Sequence, residues 1–409
     1  MSTSSVQPTC RLCGADMTTR DPVVDLGDLA VSTFPQPDSE VVHAPLALAE
    51  CPSCTLVQLT HTVDPQHLFR GDYWYASGIN GTMREELRNI VRDARGWVRV
   101  HDGDWVIDIG ANDGTLLSAW REHLWEGKPY RMAVEPSPTF QKVLADTSEV
   151  TVQDTFPCLA LAGQPSGTVR VITSIAMFYA VPDPVAFATE VARLLTPDGI
   201  WVVQMQDLRQ MVDQTAFDNI CHEHLTYYDV KTFWEVCVRA GLRILSYSPR
   251  EINGGSLRFI VGHADNGQGN YCPAVQAAHQ QPIDWDSFAA RVDDRIDRLK
   301  HTVAAARDQG HTVDLLGAST KGNTLLQLAG LGPAHIRRCW ERHPKKVGRT
   351  TITGIPIVHE TQGRGGVAPD LLVCPIWQFR EALIEREDAY LKAGGRIYFP
   401  LPAGELYCA

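Results

Sequence analysis

The sequence predicts an α/β protein in three parts: a small N-terminal zinc-binding section, a central Rossmann-like section and a second Rossmann-like α/β section at the C-terminus. Three observations carry this expectation. Two C-x2-C pairs lie near the N-terminus, short β-like runs alternate with helix-length segments from about 71 to 262, and a second alternating series follows the turn-rich stretch 263–274. At 409 residues the chain is two to three times the usual domain length of roughly 100–200 residues, so more than one core is required.

Residues 1–70 are rich in Pro, Thr and Asp, have only short apolar runs at 23–26 and 56–59, and read as a loop-rich module that needs a staple. Cys10-Arg-Leu-Cys13 and Cys51-Pro-Ser-Cys54 supply one. Two thiolates three positions apart on a tight turn can face one cation, and two such pairs complete a tetrahedral Zn(II) site with no position left for water. The 37 residues between the pairs, 14–50, cost only logarithmically more to close than a shorter loop. The metal is therefore expected to be structural. The other seven of the eleven cysteines are scattered, and the N-terminus MSTSSVQPTCRLC has neither the basic nor the apolar region of an export signal. A reducing cytoplasm is expected rather than a disulfide framework.

The central runs DWVIDIG, RMAVEP, VTVQDTF, VRVITSI, GIWVVQMQ, LRILSYS and SLRFIVGH are separated mostly by helix-length segments and imply parallel β-α-β units across 71–262. The stretch 263–274 reads as a linker. In the C-terminal section, 263–409, Phe288, Val292, Ile296, Leu299 and Val303 recur at three- and four-residue spacing and mark an amphipathic helix of about 25 residues. TVDLLGAST, a helix from about Asn323, RRCWERHP, IPIVH, DLLVCPIW and GGRIYFPLP then form the second α/β series.

Lys+Arg number 37 against 48 Asp+Glu, a net charge of -11, which excludes nucleic acid or an anionic membrane as a general partner. No apolar run approaches the roughly 18 residues of a membrane span. The oligomeric state stays open, a monomer included.

In DWVIDIGANDGTLLSAW a strand runs into Asp108, Gly110, Asn112 and Gly114 and then a helical pattern. Glycines let a turn approach a ligand closely, and a helix start offers unpaired amides. Such a turn serves a dinucleotide or S-adenosylmethionine (SAM); the third glycine of the dinucleotide fingerprint is absent, which favours SAM. Glu135, at the end of the next strand and 21 residues after Gly114, suits the ribose hydroxyls, and Asp154 the adenine amine. Tyr75, in GDYWYASGIN, is a candidate lid over the cofactor.

After GIWVVQMQD comes FDNICHEHLTYYD, with His222, Glu223, His224, Tyr227 and Tyr228. The two histidines are two apart and H-E-x-x-H is missing, so a zinc hydrolase is disfavoured. A His beside a Glu suits a general base, on the side of an open α/β sheet where ligands bind. INGGSLR holds Asn253, Ser256 and Arg258, a polar rim or a plain hairpin turn.

Together these residues resemble the sugar C-methyltransferases of antibiotic biosynthesis, which act on nucleotide-linked 4-keto-6-deoxysugars. The resemblance covers almost the whole chain: both C-x2-C pairs, DYWYASG, DIGANDG, FDNICHEHLTYY, INGGSLR, LLGASTKGNTLL and HPKKVGRTTITGIPI. It implies a zinc-bearing N-terminal domain, a central SAM domain, and a C-terminal domain that helps hold a dTDP-sugar. It further implies Cys10, Cys13, Cys51 and Cys54 as zinc ligands, Tyr75, Gly110 and Glu135 in the SAM site, and His224 as proton-abstracting base with Glu223 beside it. Lys321, in a turn that opens a helix, is the candidate for the nucleotide phosphates.

Two departures stand out. Cys221 replaces a Tyr common in relatives, and Ala180 a His; neither can make the lost hydrogen bonds, so the substrate or its secondary contacts are expected to differ. The expected reaction is methylation of C3 or C5 beside the C4 ketone. Alternatives are N- or O-methylation, a bifunctional enzyme that also reduces the ketone, and, from another class, a zinc-ribbon interaction protein.

Overall fold

The computed structural model describes residues 3–37, 39–68, 75–122, 126–264 and 281–408. Residues 265–274 of the expected linker, with Cys272, lie outside these, as do residues 71–74.

The N-terminal section carries β1 (Ser4–Val6), β2 (Val24–Ala30), β3 (His43–Glu50), β4 (Val57–Leu59) and β5 (His61–Val63). β1 pairs with β5, while β2, β3 and β4 form an antiparallel sheet. The section is more regular than its composition predicts. In His-Ala-Pro-Leu-Ala-Leu-Ala-Glu the strand is built from alanines and leucines with a proline, residues that carry little strand propensity and are held by burial of Leu46 and Leu48 instead.

The central strands are β6 (Trp105–Ile109), β7 (Tyr130–Val134), β8 (Val150–Val152), β9 (Val169–Ile175), β10 (Leu195–Gln206), β11 (Thr226–Tyr227), β12 (Leu242–Arg250) and β13 (Ser256–His263). All but β11 form one sheet in the order β12-β13-β10-β9-β6-β7-β8. The seven expected runs are all strands, but the all-parallel expectation needs correction: β13 is antiparallel to β10 and to β12. A parallel crossover needs a dozen residues or more, and only 251–255 separate β12 from β13. Asn253, Gly254 and Gly255 take φ of 57°, 84° and 105° there and make a tight hairpin.

The helix Trp285–Asp308 buries Phe288, Val292, Ile296, Leu299 and Val303, as their spacing predicts. It leads to β14 (Val313–Leu316), β15 (Cys339–Glu341), β16 (Ile357–His359), β17 (Leu371–Val373), β18 (Arg396–Phe399) and β19 (Glu405–Tyr407), ordered β16-β15-β14-β17-β18-β19 and parallel except for β19. The helix after β14 starts at Thr320 rather than Asn323, because the Ser319 side chain caps it by accepting from Gly322 N–H.

The sections share their cores. Phe34, Leu46 and Leu48 of the first pack with Phe217 and Ile220 of the second and with Phe288 and Leu315 of the third. Ser32 Oγ donates to Thr320 O at 2.9 Å and Asn323 Nδ2 to Thr33 O at 2.9 Å, fastening the third section to the first. Among the described residues no helix is long and apolar enough to cross a membrane.

Candidate active site

The two cysteine turns converge. Cys10 and Cys54 sulfurs lie 3.5 Å apart, as do those of Cys13 and Cys51, and all four lie within 4.8 Å of one another. Tetrahedral zinc with bonds of about 2.3 Å spaces its sulfurs by about 3.8 Å. Four thiols and no other ligating side chain in the cluster fit a closed structural Zn(II) site.

The glycine turn opens at the carboxyl end of β6, beside β9, where the central sheet reverses its strand order and open α/β sheets bind ligands. A cavity there is lined by Asp108, Gly110, Asn112, Glu135 and Asp154, with Tyr75 at its rim. Glu135 accepts Asn112 N–H at 2.9 Å on one oxygen and Ser137 N–H at 2.8 Å on the other, so its carboxylate is fixed while further lone pairs stay open. Burial pushes its carboxyl up, and pushes Asp108 up to about 7. Asn112 donates to Tyr75 O at 3.0 Å and accepts from Ser77 N–H at 3.0 Å, which holds Tyr75 over the turn. Gly114 does not line the cavity. It caps the following helix at φ 73°, where a Cβ would lie 2.2 Å from Thr147 Oγ1.

A second cavity, of about 420 Å3, adjoins the first: Tyr75 and Ala176 line both. It gathers His224, Glu223, Cys221, Asn253, Ser256 and Lys321, with Ser32 and Thr33 from the first section and Thr320 and Arg349 from the third. His224 Nδ1 lies 2.9 Å from Asn219 O. A carbonyl can only accept, so Nδ1 carries the proton and Nε2 keeps its lone pair. Burial, and then the Lys321 ammonium, push the imidazole down to about 3, so it is neutral at physiological pH. Burial pushes the Glu223 carboxyl up and holds the Cys221 thiol far above its usual range. Lys321 Nζ donates to Asn253 O at 3.2 Å.

Several buried polar atoms in this cavity have no hydrogen-bond partner among the described residues: both ends of the Gln206 amide, Asn219 Oδ1 and Glu223 Oε2. Unpaired buried polar groups are costly, so these atoms are available to water or to a polar ligand in the cavity. Gln204 and Gln206 were not anticipated from the sequence. The available signal was two polar residues at alternate positions closing an otherwise apolar strand, VVQMQ, and hence on one face. Tyr179, whose ring lies on His224, had no such signal.

Besides Gly114, two candidates are placed elsewhere. Arg258 is absent from the cavity lining; its guanidinium is buried and donates to Glu86 at 2.7 Å, Asn89 at 2.8 Å and Gln204 at 2.8 Å, and pairs with Asp93. Its position in β13 points it at the helix Gly81–Trp97, whose acids neutralise it. His222 faces away from His224 and bonds Ala44 O at 3.0 Å. Of the two departures, Cys221 lines the second cavity and Ala180 the first.

Fold and site together define a SAM-dependent methyltransferase. Three family models tile the chain: a zinc binding domain over residues 10–69, a methyltransferase domain over 80–247 and a C-methyltransferase C-terminal domain over 251–402. The chain thus has a C-methyltransferase organisation of three domains: zinc binding, methyltransferase and C-methyltransferase C-terminal. It is 27% identical to the C-methyltransferase NovU of Streptomyces niveus, over 96% of this chain and 95% of that one. Solved structures similar to parts of it include a Haloferax volcanii methyltransferase in complex with the Trm112 activator (20% identity, 46% of this chain and 94% of that one, TM-score 0.37). Another is the geranyl diphosphate C-methyltransferase of Streptomyces coelicolor (12% identity, 44% and 75%, TM-score 0.33).

Proposed function

We propose that the enzyme methylates C3 or C5 of a dTDP-linked 4-keto-6-deoxysugar, in deoxysugar and antibiotic biosynthesis, with His224 as the base. The observation that carries this reading is the setting of His224: Nδ1 is engaged by the Asn219 carbonyl, which leaves Nε2 for a substrate, in a polar cavity that meets the cofactor cavity at Tyr75 and Ala176. In-line transfer to carbon needs such a group beside the methyl donor. Transfer to a hydroxyl or amine does not need a carbon acid to be deprotonated.

Gln206, Asn219 and Glu223 supply unpaired donors and acceptors for sugar hydroxyls, and Lys321 and Arg349 supply cations for a diphosphate. Glu135 and Asp154 bind the ribose and adenine ends of SAM, and Tyr75 covers the junction. Nε2 of His224 takes the proton from the carbon next to the ketone, and the enolate is stabilised by nearby donors such as the Gln206 amide. Bound SAM supplies the methyl group: a carbon–carbon bond forms as the carbon–sulfur bond breaks, and sulfur keeps the electron pair. His224 then returns its proton to solvent. Holding both reactants at one junction removes the entropy of a bimolecular encounter.

The test is exchange of the sugar's α-hydrogen with deuterated solvent in the absence of SAM. Carbon methylation requires enolisation and hence exchange; its absence in an enzyme that still methylates the sugar nucleotide would move the reaction to oxygen or nitrogen.

A further inference from the structure

His224 stands on a segment with little regular structure of its own. Between the short turn Phe217–Asn219 and the helix Val230–Arg239 only β11 is regular, and it has two residues. The central section holds it at Tyr228, which bridges Asp207, and the N-terminal section holds it closer to the histidine. β11 pairs with β4, Thr226 opposite Gln58 and Tyr227 opposite Val57. Leu59 N–H donates to Leu225 O at 3.0 Å, and His222 is tied to Ala44 O of β3. The chain is therefore anchored to the cysteine-bearing module two residues before and one residue after His224.

Both cysteine turns feed this anchor. β4 starts three residues after Cys54, and Gln58 at its centre reaches the other turn: its Oε1 accepts Arg11 N–H at 2.8 Å and its Nε2 donates to Thr9 O at 3.1 Å. Thr226 Oγ1 donates to Tyr179 O at 3.2 Å, and the Tyr179 ring lies on the His224 imidazole. Gln58 and Thr226 are each 1% exposed, so water cannot replace a lost partner. Neither lines either cavity.

We propose that the cysteine-bearing module sets the position of the catalytic base, with Gln58 and Thr226 as positioning residues that relay the setting of the two cysteine turns to Tyr179 and His224. The inference rests on the reading of His224 as base. A metal held by the four cysteines would lock the two turns together and, through β4, the strand next to the base. The module thus acts on the chemistry at a distance, without touching either reactant.

The test pairs a substitution with a measurement that does not depend on turnover. Thr226→Val removes the hydroxyl and keeps shape and strand propensity; Thr226→Ser restores the hydroxyl. Thr226→Val is expected to bind SAM with wild-type affinity and to lose roughly 10- to 100-fold in kcat with KM little changed, the size a misplacement of about 1 Å produces, and Thr226→Ser to recover most of it. In full-length wild-type enzyme stripped of metal by a chelator, amides of 220–228 are expected to exchange faster together with those of 51–59, while 105–114 keep their protection. Wild-type kcat in Thr226→Val, or unchanged exchange at 220–228, overturns the proposal. So does exchange that rises equally at 105–114, which would make the metal a general requirement for folding. The exchange measurement reads the coupling independently of catalysis, so a failure of the base assignment, seen as an active His224→Asn enzyme, is told apart from a failure of the coupling.

Discussion

The imidazole of His224 and the phenol ring of Tyr179 lie with centroids 3.9 Å apart and planes inclined by 47°. With Nδ1 at the Asn219 carbonyl, the ring is fixed both in its plane and across its face. His224→Asn keeps a polar side chain but removes the Nε2 lone pair. It is expected to lower methyl transfer by roughly 10²- to 10⁴-fold, the usual contribution of a general base, and to abolish solvent exchange at the sugar carbon to the same degree. Calorimetric SAM affinity should not change, since His224 does not line the cofactor cavity.

The pH dependence follows from the sign of the shift. A base is inactive below its pKa, and His224 is pushed down to about 3 from an ordinary value near 6.5. The acid limb of kcat/KM that reports His224 in the free enzyme therefore lies well below 6.5. Lys321 contributes to the depression, so Lys321→Met is expected to move that limb upward and to raise KM for the nucleotide sugar. A diphosphate bound beside Lys321 offsets the same cation. The limb in kcat, which reports the substrate complex, should accordingly lie above the limb in kcat/KM, and a limb near 6.5 in both would contradict this account of the base.

Arg258 separates a substrate contact from a structural one. Its side chain is 1% exposed and pairs with Glu86 and Asp93. Glu86 keeps its pairing with Arg250 and Asp93 is open to solvent, but the buried Gln204 Oε1 loses its donor, so Arg258→Met is expected to cost about 1–3 kcal/mol in denaturant unfolding. KM for the sugar nucleotide should shift by no more than a few-fold, through the freed Gln204 amide, at a temperature where the variant is folded.

This case also shows what the sequence could and could not convey. The strands of both sheets except β19, the helix Trp285–Asp308 and the glycine turn after β6 are local patterns, and each lies where its pattern places it. Glu135 was readable because the β-α-β register carries it to the same sheet edge as Gly110. Arg258 was not, because its direction depends on which helix covers β13, a contact 169 positions away at Asn89. The pairing of β4 with β11 is equally long-range, and two residues of strand leave no periodicity to read.

Glu135 makes two backbone contacts that a neutral amide cannot match, because one of its two acceptors becomes a donor facing Asn112 or Ser137 N–H. Hydrogen bonds to a charged group contribute about 1.5–3 kcal/mol. Glu135→Gln is therefore expected to weaken S-adenosylhomocysteine binding by roughly 10- to 150-fold in calorimetry, while the affinity for dTDP stays within a factor of two or so.

The two glycines of the cofactor turn should respond differently to the same methyl group. Both have positive φ, 75° at Gly110 and 73° at Gly114, so alanine costs about 1–2 kcal/mol of backbone strain at either position. At Gly110 the new Cβ would lie 2.8 Å from Met177 Cγ, and Met177 lines the cofactor cavity. A flexible methionine can move, but here it lies against the cavity proposed for SAM, so Gly110→Ala is expected to weaken SAM binding more than it lowers the melting temperature. At Gly114 the Cβ would meet Thr147 Oγ1 at 2.2 Å, at the end of the helix Gln141–Thr147 and outside the cavity lining. The clash falls on packing between elements, so Gly114→Ala should lower the melting temperature by several degrees and leave SAM affinity in the surviving folded enzyme close to wild type. Parallel thermal melts and calorimetric titrations of the two variants decide it: the same ranking in both measurements would mean that the two glycines serve one role.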